Sequence, residues 1–176
     1  ADKSPLTKCR FLNIFIDTNI DTIQVVQCRP SRRYSFGYGV ILRESDSPNF
    51  ARFVTRISDL HGNFPALEAC ADDAQRRGTD RLICAGDLTG YGPFPDEVCR
   101  FVEERGIPTV MGNYDQKVVQ VNRRGDSATA GMKPKKRDIL LWAAQHLGKK
   151  AQQYLSGLPK QIILQCAGQR VLLIHG

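Results

Sequence analysis

The sequence contains no apolar run that approaches the roughly 18–20 residues of a membrane-spanning helix. Its start also lacks the apolar segment and small-residue cleavage site of a secretory signal. These absences argue against a membrane partner and against export. We therefore expect a chain that works in the cytoplasm.

Paired-cysteine motifs are missing as well, although six cysteines are present. None of them forms a CxxC pair. Cys84 lies inside an apolar strand pattern, and Cys70 and Cys99 lie in helical patterns. Buried free thiols in a reducing compartment explain this distribution better than a disulfide framework does.

Acidic residues are outnumbered, with 18 Asp and Glu against 25 Lys and Arg and a net charge of +7. A basic excess can indicate a nucleic-acid partner. Here much of it lies in two local clusters, 29–43 and 123–137, without an RRM, KH or helix-turn-helix signature. A nucleic-acid partner is therefore the less supported alternative, and the oligomeric state is left open.

The composition, with 41% hydrophobic and 24% charged residues over 176 positions, is that of one ordinary globular domain. Residues 1–50 stand apart, because the segment 22–43 is Arg-rich and has no acidic residue. Short strands are predicted at 11–16 and 23–26. We interpret residues 1–50 as a poorly specified N-terminal extension, followed by a single domain at residues 51–176.

From Phe53 onward, apolar strand patterns alternate with helical patterns three times, which predicts a parallel sheet with helical crossovers. A long loop or loosened helix is expected at 116–136, and two apolar runs around Gly168 predict a hairpin. The predicted strands are 53–58, 81–85, 107–111, 161–166 and 170–174, and the predicted helices are 64–77, 96–105, 137–147 and 151–155.

Five polar side chains each follow the last apolar residue of a predicted strand: Asp59, His61, Asp87, Asn113 and His175. The carboxyl ends of neighbouring parallel strands share one edge of a sheet, where open α/β sheets bind ligands. Asp and Asn oxygens with His nitrogens suit hard or borderline divalent metals. Each residue alone is also compatible with a turn or a sheet-end histidine, but the five together favour a metal site.

Four sequence blocks occur in a specific order and spacing, namely SDLHGN at 58–63, AGDLTGYGP at 85–93, VMGNYD at 110–115 and IHG at 174–176. On these blocks the chain resembles the calcineurin-like metallophosphoesterases, in particular their small bacterial and archaeal phosphodiesterase branch. The resemblance covers residues 52–176. It implies an α/β fold, a two-layer sandwich whose central mixed, largely parallel sheet is flanked by helices.

The resemblance also implies two divalent metal ions bridged by one carboxylate. Asp59 and His61 would hold the first ion, Asp87 would bridge both, and Asn113 and His175 would hold the second. A hydroxide that bridges the ions would attack the phosphorus of a phosphodiester or phosphomonoester substrate. The mixed nitrogen and oxygen ligands are compatible with Mn, Fe, Zn or Ni.

Two features depart from the family pattern. Many relatives carry His after the Asn of the third block, where this chain has Tyr114, and an ordinary phenol with a pKa of about 10 is a hydrogen-bond donor rather than an acid. We therefore expect Asp87, Asn113 and Tyr114 to act in catalysis on substrates with good leaving groups. The sequence also stops before the family's final Gly-His-x-His block, so we expect a domain that lacks its last strands and has weak turnover. His146, in a predicted helix, is a poor replacement ligand, and an inactive scaffold of the same fold is the alternative hypothesis.

Overall fold

The computed structural model describes residues 22–24, 54–166 and 169–176, in which strands and helices form an α/β fold. The candidate strand at 11–16 and most of the predicted extension lie outside the described residues. In chain order, the elements are β1 (Thr22–Gln24), β2 (Val54–Ile57), α1 (Phe64–Arg76), β3 (Arg81–Cys84), α2 (Pro95–Glu104), α3 (Asn113–Arg124), a 3-10 helix (Gly125–Thr129), α4 (Pro134–Gln145), α5 (Lys149–Gly157), β4 (Gln161–Cys166) and β5 (Gln169–Ile174).

Strands β2 and β3 are parallel neighbours, as the strand–helix alternation predicts. The predicted strand at 107–111 is reduced to one parallel bridge between Cys84 and Thr109. Pro108 has no N–H to donate, which weakens regular pairing at this point. The segment still follows β3, because the Cys84 N–H donates to the Pro108 carbonyl and the Val110 N–H donates to the Cys84 carbonyl.

A second sheet has the strand order β1-β5-β4. Strands β4 and β5 are antiparallel, with Gln161 opposite Ile174, so the predicted hairpin is confirmed. β1 is parallel to β5 and pairs Thr22 with Arg170. This part of the predicted N-terminal extension therefore contributes a strand to the sheet.

Alternate residues of β2 and β3 face two different buried clusters, as the period of a strand requires. One cluster joins the two sheets, and its buried members are Val54, Ile83, Ala85, Val110, Leu164, Val171 and Leu173. The other cluster includes Ile57 and Cys84 and joins the β2–β3 sheet to all five α-helices. The result is a sheet-on-sheet sandwich with helices on the outer face of β2–β3, in agreement with the predicted fold class.

Helix α1 begins and ends where its sequence predicts. The Asn63 side chain accepts a hydrogen bond from the Ala66 N–H at 3.3 Å, and Pro65 occupies the first turn, where no N–H is needed. Gly78, at φ +79°, follows the helix in the left-handed conformation that glycine adopts freely. The helix therefore holds the loop before it at a fixed angle to the sheet.

The region 116–136 is more regular than the sequence predicts. Helix α3 covers its first part and buries Val118, Val119 and Val121 against the other helices. A 3-10 helix follows, and α4 already begins at Pro134. The polar residues that indicated a loop lie on the outer face of α3, and the three valines give its inner face enough burial to stabilise a helix.

The described cysteines carry free thiols, and Cys84 and Cys99 are buried as predicted. Burial raises the pKa of the Cys84 thiol to about 12, so this group stays protonated and unreactive. Among the described residues, no helix is long and apolar enough to span a bilayer.

Replacing Leu155 with alanine is expected to lower the free energy of unfolding by about 2–5 kcal/mol. The Leu155 side chain is 0% exposed in the helix-side cluster, so its removal leaves a cavity that α5 and its neighbours cannot fill. Chemical denaturation measures the loss. Ile163→Ala, at a side chain that is 55% exposed, should cost less than about 1 kcal/mol. Similar losses for the two variants would contradict the assigned core.

Candidate metal centre

The loops that follow β2 and β3 continue the pairing of the two strands beyond their ends. The Asp59 N–H donates to the Gly86 carbonyl at 3.0 Å, and the His61 N–H donates to the Asp87 carbonyl at 2.8 Å. A further bond joins the Gly62 N–H to the next carbonyl of the β3 loop at 2.8 Å. These bonds fix the two loops side by side, so that their side chains point into one space.

Three residues of these loops adopt positive φ although none is glycine. The φ values are 57° for Asp59, 47° for His61 and 56° for Asp87. Side chains with a Cβ adopt this left-handed region rarely, and such strain persists only where the surrounding structure enforces it. All three strained residues are predicted metal ligands. The strain therefore coincides with the site rather than with ordinary turns.

Gly112 passes so close to Asp87 that a side chain has no room there. A Cβ added to Gly112 would lie 2.1 Å from Asp87 Oδ1 and 2.2 Å from the Asp87 backbone nitrogen. The third loop therefore packs directly on the second. This close approach places Asn113, the next residue, beside the other side chains of the site.

The structure brings all five predicted side chains to one place. Possible ligand atoms of Asp59, Asp87 and His175 all lie within 4.8 Å of one another. His61 Nε2 lies 3.8 Å and His175 Nε2 lies 3.6 Å from Asp87 Oδ2. Asn113 Nδ2 lies 3.2 Å from His175 Nε2. Two imidazoles, two carboxylates and an amide are a donor set that fits divalent transition metals.

Backbone carbonyls fix the tautomers of both histidines. His61 Nδ1 lies 3.0 Å from the Thr89 carbonyl, and His175 Nδ1 lies 2.7 Å from the Ala85 carbonyl. A carbonyl oxygen only accepts hydrogen bonds, so each neutral ring carries its proton on Nδ1. Each Nε2 then carries a lone pair and lies within 3.8 Å of Asp87 Oδ2, and the Nε2 of His175 also accepts a hydrogen bond from the Asn113 amide at 3.2 Å. This is the arrangement of histidines that bind metals through Nε2.

Hydrogen bonds from neighbouring residues fix the two carboxylates of the site. Asp87 is 2% exposed, and its Oδ1 accepts a hydrogen bond from the Tyr114 N–H at 2.8 Å. The Ser58 hydroxyl donates to Asp59 Oδ2 at 2.6 Å. Burial raises the pKa of Asp87, while the Tyr114 N–H acts in the opposite direction. A cation beside Asp87 would offset the cost of burying its charge.

Tyr114 lies next to the site as a neutral phenol. Its hydroxyl forms a hydrogen bond with the Tyr91 hydroxyl, and both rings meet His61 edge-on with centroids 5.0 Å from the imidazole. Burial, together with the contact to Tyr91, raises the pKa of Tyr114 above its usual value. The phenol therefore keeps its proton, and it can donate a hydrogen bond into the site when the Tyr91 hydroxyl is the donor in the bond between the two tyrosines.

Two lysines that the sequence did not single out approach the same ring. The Lys117 and Lys136 ammonium groups lie 5.5 and 5.0 Å from the Tyr114 ring centroid. Lys117 Nζ also donates to Asn113 Oδ1 at 3.3 Å. Burial and the neighbouring Lys136 ammonium lower the pKa of Lys117. Sequence spacing could have indicated Lys117, which lies one helical turn after Asn113, but Lys136 comes from another helix.

Asp115, to which the sequence assigned no role, joins two loops of the site. It is fully buried, and Oδ1 accepts hydrogen bonds from the N–H and the hydroxyl of Thr89, both at 3.0 Å. Its Oδ2 accepts from the Gly112 N–H at 3.0 Å. A carboxylate in the first turn of a helix is a recognisable capping signal, but its partner in a distant loop is not.

His146, the remaining histidine, is an exposed residue at the C-terminal end of α4, as its sequence context predicts. Its ring stacks on Trp142 with centroids 3.9 Å apart, and its Nδ1 lies 2.7 Å from the Trp142 carbonyl. These contacts account for His146 without a role as a ligand.

The chain is similar to proteins of one known family. The sequence model of the calcineurin-like phosphoesterase superfamily domain matches residues 53–176. An uncharacterized protein of Methanocaldococcus jannaschii is 29% identical over 125 residues, which cover 68% of this chain and 47% of that protein. The chain therefore spans about half the length of this curated relative.

Among solved structures, a metallophosphoesterase from Sphaerobacter thermophilus matches the chain at 32% identity and a TM-score of 0.49, over 63% of this chain and 42% of that one. A hypothetical protein from Pyrococcus horikoshii OT3 has 21% identity and a TM-score of 0.59, over 66% of this chain and 52% of that one. A candidate diadenosine tetraphosphatase has 24% identity and a TM-score of 0.54, over 78% of this chain and 55% of that one.

The last two likenesses extend to the fold alone, because both identities are low. The family match covers the described domain from β2 to the end of the chain, including all the predicted ligands. The chain belongs to the calcineurin-like phosphoesterase superfamily.

Proposed function

We propose that this chain is a dinuclear-metal phosphoesterase that hydrolyses a phosphodiester or a phosphomonoester. One observation carries the proposal: the Nε2 atoms of two histidines, each with its Nδ1 held by a backbone carbonyl, lie 3.8 and 3.6 Å from the same oxygen of Asp87. Membership of a phosphoesterase superfamily supports the same reaction class.

The ligand roles that we propose follow the two sides of Asp87. Asp59 and His61 would hold one ion, Asp87 would be shared by both, and Asn113 and His175 would hold the other. The Asn113 amide has its nitrogen toward His175 and its oxygen toward Lys117. A half turn of the amide about its Cβ–Cγ bond exchanges these two atoms and presents the oxygen to a cation.

Bound divalent ions, for which Mn, Fe, Zn and Ni all suit the donors, supply Lewis acidity and a water that ionises near neutral pH. The residues of the chain orient the reaction around them. Asp87 is held by the Tyr114 N–H, which fixes the direction of its free oxygen. The Tyr114 phenol is proposed to donate a hydrogen bond to the phosphoryl or leaving-group oxygen. Because this donor keeps its own proton, substrates with good leaving groups are favoured.

The proposed catalytic unit is residues 51–176, with residues 1–50 as an extension. Pairing of Thr22–Gln24 with β5 supports an extension that is joined to the sheet rather than independent of it. The relatives matched are about twice as long as the matched region. Phosphoesterase activity of the complete protein is therefore also a proposal.

Replacing His61 or His175 with alanine is expected to weaken Mn²⁺ binding by about 100-fold or more, since loss of a supporting residue around a bound metal already costs 10–100-fold. Titration calorimetry measures the affinity, and release of nitrophenolate from a nitrophenyl phosphodiester measures turnover. His146→Ala is the matched control and should change neither value, because the ring of this exposed histidine stacks on Trp142 at the end of α4.

Weak metal-dependent turnover and binding of up to two equivalents of Mn²⁺, at partial occupancy, are the expected results for the unmodified chain. At a free Mn²⁺ concentration 100 times the dissociation constant, each site adds about 2.7 kcal/mol to the free energy of unfolding, and a chelator removes it. Binding of both ions without turnover would instead identify a scaffold that keeps the metal site. Failure to bind any metal would overturn the proposal.

A further inference from the structure

Lys117 and Lys136 converge beside the metal centre from two different helices. Lys117 lies on α3, one turn beyond Asn113, and Lys136 lies in the first turn of α4. Both ammonium groups lie within 5.5 Å of the Tyr114 ring centroid. Both side chains are half-buried. Their neighbours Lys133 and Lys135 are exposed and belong to the same basic stretch of the sequence.

This placement is unfavourable for the stability of the chain by itself. Two ammonium groups repel each other when they are close, and partial burial removes part of their hydration. A cation in the first turn of a helix also opposes the helix dipole. Among the described ion pairs, none joins either lysine to a carboxylate. The contacts to the Tyr114 ring and to Asn113 Oδ1 carry no negative charge, and ammonium groups brought together without a carboxylate are typical of a binding site for an anion.

Resting on the proposed function, we propose that Lys117 and Lys136 form an anion subsite for a second phosphate group, directly linked to the scissile one. Lys117 lies one helical turn beyond Asn113, and its Nζ lies 3.3 Å from the side-chain amide of this proposed ligand. A group held by this lysine lies next to a group held at the metals. A phosphoanhydride chain has such adjacent phosphates, and a simple monoester has only one.

The geometry favours a condensed phosphate over a nucleic acid. Backbone contacts to nucleic acid use exposed cations spread over a surface. Here the two half-buried lysines are directed at one ring, while the exposed cations of the same stretch are not. Lys117 uses one donor on Asn113, and a lysine ammonium has three, so donors remain for phosphate oxygens.

The test compares two non-hydrolysable ligands by titration calorimetry at fixed free Mn²⁺: methylenediphosphonate, with two linked anionic groups, and methylphosphonate, with one. Lys117→Gln and Lys136→Gln should each weaken methylenediphosphonate binding by about tenfold or more, and methylphosphonate binding by less than about threefold. Lys135→Gln, the exposed neighbour on α4, is the matched control and should leave both affinities unchanged. Thermal melting checks that every variant is folded.

Equal losses for both ligands would overturn the inference, because the lysines would then serve the scissile group alone. Losses of the same size in Lys135→Gln would also overturn the inference. A further contradicting result is a single-stranded oligonucleotide that displaces methylenediphosphonate and whose binding depends on Lys135 as much as on Lys136. Turnover of a nitrophenyl phosphodiester, measured in parallel, reports on the proposed function separately. Lysine-dependent binding of methylenediphosphonate without turnover would support the anion subsite and contradict the proposed hydrolase. Turnover without a lysine-dependent preference for methylenediphosphonate over methylphosphonate would support the hydrolase and contradict the subsite.

Discussion

Replacing Asp87 with alanine is expected to reduce kcat/KM for a nitrophenyl phosphodiester by about a thousandfold or more, since removal of a single electrostatic group from an active site already costs 10²–10³. Asp87 is the residue toward which both histidine Nε2 atoms are directed. Without its carboxylate, the proposed halves of the site share no ligand. Metal content, measured on the purified variant, should fall together with the rate.

Asp73→Ala is the matched control for Asp87→Ala. Asp73 is an exposed carboxylate on α1, and its partner Arg77 donates to it at 2.6 Å. Exposed ion pairs of this kind contribute little to stability, so turnover and metal content should stay at the level of the unmodified chain. Asp87→Asn, which keeps an oxygen to accept from the Tyr114 N–H, separates the loss of charge from any local unfolding. Equal rates for Asp87→Ala and the unmodified chain would remove Asp87 from the mechanism.

Replacing Gly112 with alanine is expected to lower the free energy of unfolding by about 1–3 kcal/mol and to abolish turnover. The new methyl group would lie 2.1 Å from Asp87 Oδ1 and 2.2 Å from the Asp87 backbone nitrogen. Backbone atoms cannot move aside as a flexible side chain can. The third loop must therefore shift away from the second, and Asn113 and Tyr114 shift with it. Chemical denaturation and the phosphodiester assay measure the two effects.

Gly157→Ala is the control for Gly112→Ala, and it is expected to raise the free energy of unfolding rather than lower it. Gly157 is the last residue of α5, and a Cβ added there meets no atom within 4 Å. Alanine in a helix is more stable than glycine by roughly 0.5–1 kcal/mol, so this variant should be slightly stabilised. A Gly112→Ala protein with unchanged stability and turnover would show that the loops are not packed as closely as described.

The fold and the predicted ligands could be recognised from the sequence because their signals are local. A strand that alternates with a helix leaves an apolar run at a fixed period, and the first polar residue after that run is at the edge of the sheet. Asp59, Asp87 and His175 were predicted in this way, and their ligand atoms lie within 4.8 Å of one another. No knowledge of side-chain packing was required.

Residues whose partners come from distant parts of the chain were not predicted. Asp115 and its partner Thr89 are 26 residues apart, and Lys136 reaches Tyr114 from another helix. The region that contains most of helix α3 was expected to be a long loop or a loosened helix for the same reason. Its polar composition is local, whereas the burial of its three valines depends on helices that follow later in the sequence.

The sequence by itself indicated the family, through the resemblance of four blocks of residues. It also indicated the alternation of strands and helices and the five residues that follow the strands, since periodicity is a property of neighbouring residues. Only the tertiary structure decided the tautomers of the two histidines, the close approach of Gly112 to Asp87, and the convergence of the two lysines on Tyr114. Each of these depends on distances between segments far apart in the chain, which folding sets by packing the loops against one another.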